Sequence, residues 1–413
     1  MNKIDELIQQ YCPDGVEYVP IWSLTAWDKN FNGVEKSKQT KVIKYNYLLA
    51  ADLKSYQVEN GTVKLLTTNI SNLYTTEELS DGLASDGEVV AIPWGGNPIV
   101  QYYKGRFLTA DNRIATSLDT NILNNKFLYY CMLSQMKLIA SFYRGSGIKH
   151  PEMSKVLDLE IPLPPLPVQE AIVNILDRFA EYTAELQAEL QARQQQYNYY
   201  RDTLLSFEGR EDVQEYILGD LFEFKNGLNA SKEQFGHGTP IVNYVNVYKK
   251  NSIKASDLSG KVELDKSSID RYRVKRGDVF FTRTSETREE IGIASVLLED
   301  IEDCVFSGFV LRARPITDVL LPEFCKYCFS TYNIRKQIIQ SSTLTTRALT
   351  NGTSLSKVKV LIPSKPEQQR IVDILDRFDH LTNDLSQGLP AEIEARQQQY
   401  KYYRDQLLTF KRM

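Results

Sequence analysis

Apolar residues recur through 172–204 in steps of four and three: Ile172, Leu176, Phe179, Thr183, Leu186, Leu190, Arg193, Tyr197, Tyr200 and Leu204. That alternation keeps one stripe of a helix turned toward a neighbouring helix, so the run predicts a heptad seam with Thr183 and Arg193 as polar interruptions. Pro167 stands in the first turn, where its missing N–H costs nothing. The pattern comes twice. Residues 371–378 read IVDILDRF against IVNILDRF at 172–179, and 395–410 read ARQQQYKYYRDQLLTF against ARQQQYNYYRDTLLSF at 192–207. The second seam runs through Ile371, Leu375, Phe378, Thr382, Leu385 and Leu389 after Pro366. Four extra residues then enter before Ile393, and the seam resumes at Arg396, Tyr400, Tyr403 and Leu407. Such an insertion is a stutter, and with Gly388 and Pro390 beside it a kink or break is expected there. Two unrelated amphipathic helices would not need matching seams; two helices packed on each other would.

Between the helices the pattern changes to strands. TVKLLTTNI, GEVVAIPW and NPIVQYYKGRFLTADNRIATSL carry β-branched and aromatic runs broken by Gly, Asn and Pro. A helix is expected at about 125–143, followed by the loop RGSGIKHPEMS. The second region has the same order: PIVNYVNVY, RYRVKRGDVFFTRTS, IGIASVLL and CVFSGFVLRARP as strands, a helix at about 322–340, then SSTLTTRALTNGTS. MSKV at 153–156 matches LSKV at 355–358, and VEYVPIWSL at 16–24 resembles VQEYILGDL at 213–221. The N-terminus therefore reads as the tail of the same repeat unit, after a short helix at 2–11 closed by CPDG. IPLPPLPVQ (161–169) is a stiff junction into the helix rather than a PxxP ligand, because the second copy keeps only IPSKPEQ. The expected division is 1–165 as a first globular region, 166–208 as a helix, 209–363 as a second globular region and 364–413 as a distal helix. The expected class is α+β: two α/β globular regions alternating with two long helices that pack on each other, with a pseudo-twofold axis if they run antiparallel.

Composition changes this picture little. With 413 residues, 42% hydrophobic and 25% charged, the chain is ordinary globular protein of several domains. No window is apolar enough to span a bilayer and MNKIDELIQQ is no signal peptide, so a cytoplasmic place and no membrane partner are expected. Cys325 and Cys328 form a CxxC, but PEFCKYCF aligns with NKFLYYCM, putting Cys328 opposite Cys131 on a helix; core thiols are expected, and no metal. The net charge of −4 counts against a simple nucleic-acid binder. Residues 161–210 hold 4 Lys+Arg against 7 Asp+Glu, while 211–360 hold 21 against 20, so any DNA binding must come from local patches.

No catalytic constellation is visible. There is no phosphate-binding GxxxxGK[ST], no glycine-rich strand-turn-helix and no Asn/Asp-Pro-Pro-aromatic run; Asn97-Pro98-Ile99 comes nearest. His150, His237 and His380 are scattered. Enzyme activity in this chain alone is not expected. Binding residues are easier to nominate. Arg271, Arg273 and Lys275 alternate along an expected strand and, with Lys249, Lys250 and Arg276, could hold phosphates. Arg283, Thr284, Ser285 and Arg288 follow a strand and offer donors for base edges; Arg347 and Asn351 lie in a later loop. The corresponding loops of the first region, 93–97 and 143–150, offer Trp94, Asn97, Arg144, Ser146, Lys149 and His150.

Two variable globular regions alternating with near-identical helices, with the junctions IPLPPLPVQEAIVNILDRF and ARQQQYxYYRD, resemble the specificity (S) subunit of a Type I restriction–modification system over the whole chain. The resemblance implies that each globular region is a target-recognition domain reading one half of a bipartite double-stranded DNA sequence. It implies that the helices pair as an antiparallel coiled coil, which fixes the spacer. It implies two modification (methyltransferase) subunits on the helices, joined by restriction (translocase and endonuclease) subunits. S-adenosylmethionine, ATP and Mg would belong to those partners, with no cofactor in this chain. A helix of about 40 residues is roughly 60 Å long, enough to hold two reading heads about one DNA turn of roughly 34–36 Å apart. A coiled-coil scaffold without DNA specificity, an orphan or decayed subunit in another anti-phage system, and a self-contained methyltransferase are the alternatives; the missing donor and Pro-Pro motifs speak against the last.

Overall fold

The computed structural model describes residues 3–207, 209–383 and 388–413. The chain forms two compact units, Met1–Leu186 with Ile393–Met413, and Gln187–Glu392. The helix Leu166–Leu204 is continuous through the boundary, so each unit owns part of it.

The first unit is built on a six-stranded sheet in the order Thr25–Trp27, Asn112–Ser117, Ser85–Pro93, Gln101–Thr109, Val63–Leu66, Tyr74–Thr75. Neighbours are antiparallel except Val63–Leu66, which runs parallel to Gln101–Thr109. The helix Asn125–Ser134 starts at Asn124, whose side chain accepts the N–H groups of Lys126 and Phe127. It buries Phe127, Leu128 and Cys131 against Val90, Ile92 and Ala115 of the sheet. Tyr18–Pro20 pairs with Glu160–Pro162 at the foot of the sheet. The C-terminal tail closes this foot. Val16 N–H donates to Lys411 O at 2.9 Å, the Tyr18 hydroxyl to Phe410 O at 3.1 Å, and Arg412 pairs with Glu160. The N-terminus, read as the tail of the repeat unit, is thus joined by hydrogen bonds to the chain that follows the distal helix.

The second unit repeats the frame. Its sheet runs Phe222–Asn226, Val310–Pro315, Val279–Thr282, Ala294–Leu297, Ser252–Ile253, again antiparallel except for the last pair. Val213–Ile217 pairs with Lys359–Pro363 at the foot. Pro322–Cys328 takes the place of Asn125–Ser134, and Cys328 and Cys325 are buried in the core, where burial pushes the Cys328 thiol up to about 12.

Within each unit the seam does two jobs. Its first turns enter the globular core: Ile172 and Leu176 in the first unit, Ile371 and Leu375 in the second, all fully buried. Burying each stabilises by roughly 1.5–3 kcal/mol. The end of the other helix joins the same cores, with Tyr400, Leu407 and Leu408 in the first and Tyr197 and Leu204 in the second. Burial pushes the Tyr197 and Tyr400 phenols up to about 12. Further along, Phe179 stacks on Tyr403 at 5.4 Å and Tyr200 on Phe378 at 5.5 Å, with rings 23° and 27° apart. Arg396 lies over Tyr182 at 5.2 Å. Phe179 meeting Tyr403 while Tyr182 meets Arg396 makes this pairing antiparallel. Leu186 and Leu389 are buried and Leu190 half-buried. Leu385 lies outside the described residues, as does most of the stutter. The distal helix is described as Lys365–Asn383 and Leu389–Leu407, with Pro390 in the first turn of the latter.

Two strand expectations fail for the same reason. Residues 240–248 were expected as strand, yet only the first three extend Phe235–Val242. Asn243 then caps the helix Tyr244–Lys249, accepting the N–H of Val245 and Asn246 while the Asn246 side chain returns to Asn243 N–H. Arg271, Arg273 and Lys275 do not alternate along a strand. Asp265 accepts the Ser268 N–H at 2.9 Å and starts the helix Lys266–Tyr272, and the strand begins only at Val279. A cap outweighs a short period-two pattern because it satisfies backbone donors that no side-chain alternation can.

Candidate functional site

The central strand of each sheet ends in a loop, and the loop meets a hairpin from beyond the core helix. In the first unit Ser85–Pro93 ends buried and runs into 94–97. Trp94 N–H donates to Asp111 O at 2.7 Å, and Gly96 N–H to Lys149 O at 3.0 Å. The hairpin is Tyr143–Arg144 paired with His150–Pro151. Gly145 turns it at a φ of +143°, where a Cβ would lie 2.6 Å from Ile148 O, so only glycine fits. His150 Nδ1 lies 2.7 Å from Trp94 O, and the two rings are 5.1 Å apart. The loops nominated separately at 94–97 and 144–150 are therefore one surface, with Asn97, Arg144, Ser146, Lys149 and His150 exposed. Arg144 pairs with Glu152 at 3.1 Å.

Beneath this surface lie residues that the sequence reading missed. The Arg113 guanidinium sits over the Trp94 ring at 4.3 Å, and Lys29 Nζ at 5.5 Å. Arg113 is buried beside Asp28, 3.6 Å away, and Asp28 accepts Ile114 N–H at 2.9 Å. Burial pushes the Asp28 carboxyl up, against the pull of Ile114 N–H and Arg113; burial pushes the Lys29 ammonium down. The available signal was a cation inside an apolar strand, DNRIATS, which must find a partner when buried.

The second unit builds the same surface with other residues. Arg283 follows Val279–Thr282 as Trp94 follows Ser85–Pro93. Its N–H donates to Phe309 O at 3.2 Å and its carbonyl accepts Thr350 N–H at 3.0 Å. Thr284 and Ser285 pair with Leu349 and Ala348, and Thr343–Leu344 completes a three-stranded sheet. The loops 283–288 and 343–351 are thus brought together. Their donors are partly spent. Ser285 is buried and Thr284 half-buried. Arg288 donates to Ser342 O at 3.2 Å, and Arg347 pairs with Glu286 at 2.8 Å. Asn351 caps the helix Gly352–Leu355, accepting Ser354 N–H at 2.9 Å. Tyr244 and Tyr248, stacked at 5.6 Å, flank this surface, with the Tyr248 hydroxyl on Glu290 at 2.7 Å.

The remaining nominated cations are held elsewhere. Arg273 pairs with Asp270 at 2.8 Å and Asp303 at 2.6 Å, and Lys250 with Asp257. Lys249, Arg271 and Lys275 are exposed. Among the described residues no helix is long and apolar enough to cross a membrane.

The model of the family described as the Type I restriction modification DNA specificity domain matches residues 33–193 and 210–395. The specificity subunit of the Escherichia coli Type I restriction enzyme EcoR124I/EcoR124II is 33% identical over 318 residues, covering 72% of this chain and 74% of that one. A putative type I restriction enzyme specificity subunit of Haemophilus influenzae is 33% identical over 351 residues, covering 81% and 86%. The crystal structure of a Type I restriction–modification S subunit from M. genitalium superposes with a TM-score of 0.59 over 96% of this chain and 97% of that one, at 16% identity, a likeness of fold.

Proposed function

This chain belongs to the Type I restriction–modification DNA specificity family, and from that premise we infer that each of its units reads one half of a bipartite DNA target. The observation that carries the reading is a constant frame with changed contents. Five strands keep one order in both units, and one loop–hairpin surface ends each central strand. That surface holds Trp94, Asn97 and His150 in one unit and Arg283, Arg288 and Arg347 in the other. Constant framing with variable donors is what direct readout of different base edges requires. A bare scaffold has no need of it.

The helices carry the opposite signal. Gln194, Gln195, Tyr199 and Asp202 are exposed, and so are their equals Gln397, Gln398, Tyr402 and Asp405. Core packing explains identity at buried positions, not at these. One partner surface used twice explains it, which fits two copies of a modification subunit, with restriction subunits joining them. Exposed tyrosines suit such anchors, because a large rigid ring buries area at little entropic cost. In this reading the chain supplies the address, in the cytoplasm. Chemistry and its cofactors, S-adenosylmethionine, ATP and Mg, stay with the partners. The helix Leu166–Leu204, shared by both units, sets the spacer.

Exchanging residues 211–360 for the matching region of a relative tests the reading. The modified DNA sequence is expected to change in one half and keep the other half and the spacer. A change in both halves would refute modular reading.

A further inference from the structure

Trp94 and Arg283 occupy one position in the shared frame, and we propose that Arg283 reads a guanine in the half-site bound by the second unit. The assignment rests on the reading of the chain as a DNA-specificity subunit. Both residues come first after the central strand, and both N–H groups donate across to the strand-leading loop beside it, at Asp111 O and Phe309 O. A position filled by an indole in one unit and a guanidinium in the other is not a phosphate grip common to both. It is a place where the two units differ in what they can recognise.

Arg283 is prepared for this task. Its backbone is fixed at both ends, by Phe309 O and Thr350 N–H. Its guanidinium donates once, from Nη1 to Gly308 O at 3.0 Å, which orients the group. Among the described residues no carboxylate neutralises it, and the side chain is half-exposed. Its neighbours are partly engaged. Arg347 faces Glu286, Arg288 is tied to Ser342, and Arg335 donates to Gly292 O and Glu289 O at 2.7 and 2.8 Å. A guanidinium has five donors in a fixed fork, so several remain. Guanine offers N7 and O6, two adjacent acceptors, in the major groove. Adenine offers one acceptor and one donor there and would leave a guanidinium donor facing an amine.

The test uses the full chain co-expressed with its modification subunits and maps the modified DNA sequence by long-read sequencing. Wild type is compared with Arg283→Ala, Arg283→Gln, Arg283→Lys and Trp94→Ala. The wild-type half-site assigned to 211–360 is expected to contain a guanine whose preference over adenine falls roughly five- to hundred-fold in Arg283→Ala and Arg283→Gln. The other half should stay intact, and Trp94→Ala should alter only that other half. Should the alanine variant fail to fold, the glutamine variant, uncharged and matched to adenine rather than guanine, carries the same expectation. Even weakening across all sequences, restored by lysine, would mark a phosphate contact and overturn the assignment. A two-part site without an Arg283-dependent guanine would overturn it alone. A wild-type complex that marks no two-part site would overturn the functional reading and the assignment together.

Discussion

Gln169 and Gln368 stand three residues before Ile172 and Ile371, where the seam would place another apolar side chain, and both are fully buried. Gln169 accepts Asn124 N–H at 2.9 Å and donates to Ile122 O and Pro164 O, each at 2.8 Å. Gln368 accepts Leu321 N–H and donates to Val319 O and Pro363 O, all at 2.9 Å. Each thus joins the start of a long helix to the loop before a core helix. About two turns further on, Asp177 takes the Tyr130 hydroxyl at 2.5 Å and Lys126 at 2.8 Å, and Asp376 takes Tyr327 and Lys326. Replacing either glutamine by alanine is expected to cost about 1–3 kcal/mol, since it strands a buried N–H and two carbonyls. Equal losses at the two sites in denaturant melts would support the repeated role; a loss below about 0.5 kcal/mol would contradict it. These residues were visible in the repeat, yet periodicity sees only apolar positions, and a buried amide reads there as a gap. Ser285 and Asn351 show the converse. Both were nominated as donors for DNA, but local backbone geometry had already buried one and used the other as a cap.

The helices were the most legible elements because their period is long and occurs twice. The seams placed Phe179, Tyr200, Phe378 and Tyr403 on the packed stripes, and the stacks of Phe179 on Tyr403 and Tyr200 on Phe378 are one interaction made twice. Double-mutant cycles to alanine should give coupling of about 0.5–1.5 kcal/mol for each pair. Coupling near zero in both would mean the rings merely adjoin. The strands of the first unit were legible from long β-branched runs. In the second unit, Asn243 and Asp265 turned expected strand residues into helices, because alternation is judged on apolar and polar positions and does not register a side chain that caps the backbone. The burial of Arg113 under Trp94 was not legible either, since pairing across a sheet is set by register and not by distance along the chain.

At the scale of the whole molecule, the repeat accounts for what is constant and the strand-end surfaces for what varies. The family follows from the constant part; the target follows from the variable part. The most direct measurement is long-read mapping of modified bases in the native host, with this gene intact and deleted. The account predicts a two-part methyladenine motif with a fixed gap that vanishes on deletion and returns when the gene is restored. A motif that persists without the gene, or a set of motifs that deletion leaves unchanged while the neighbouring modification subunit is expressed, would contradict the claim that this chain directs modification.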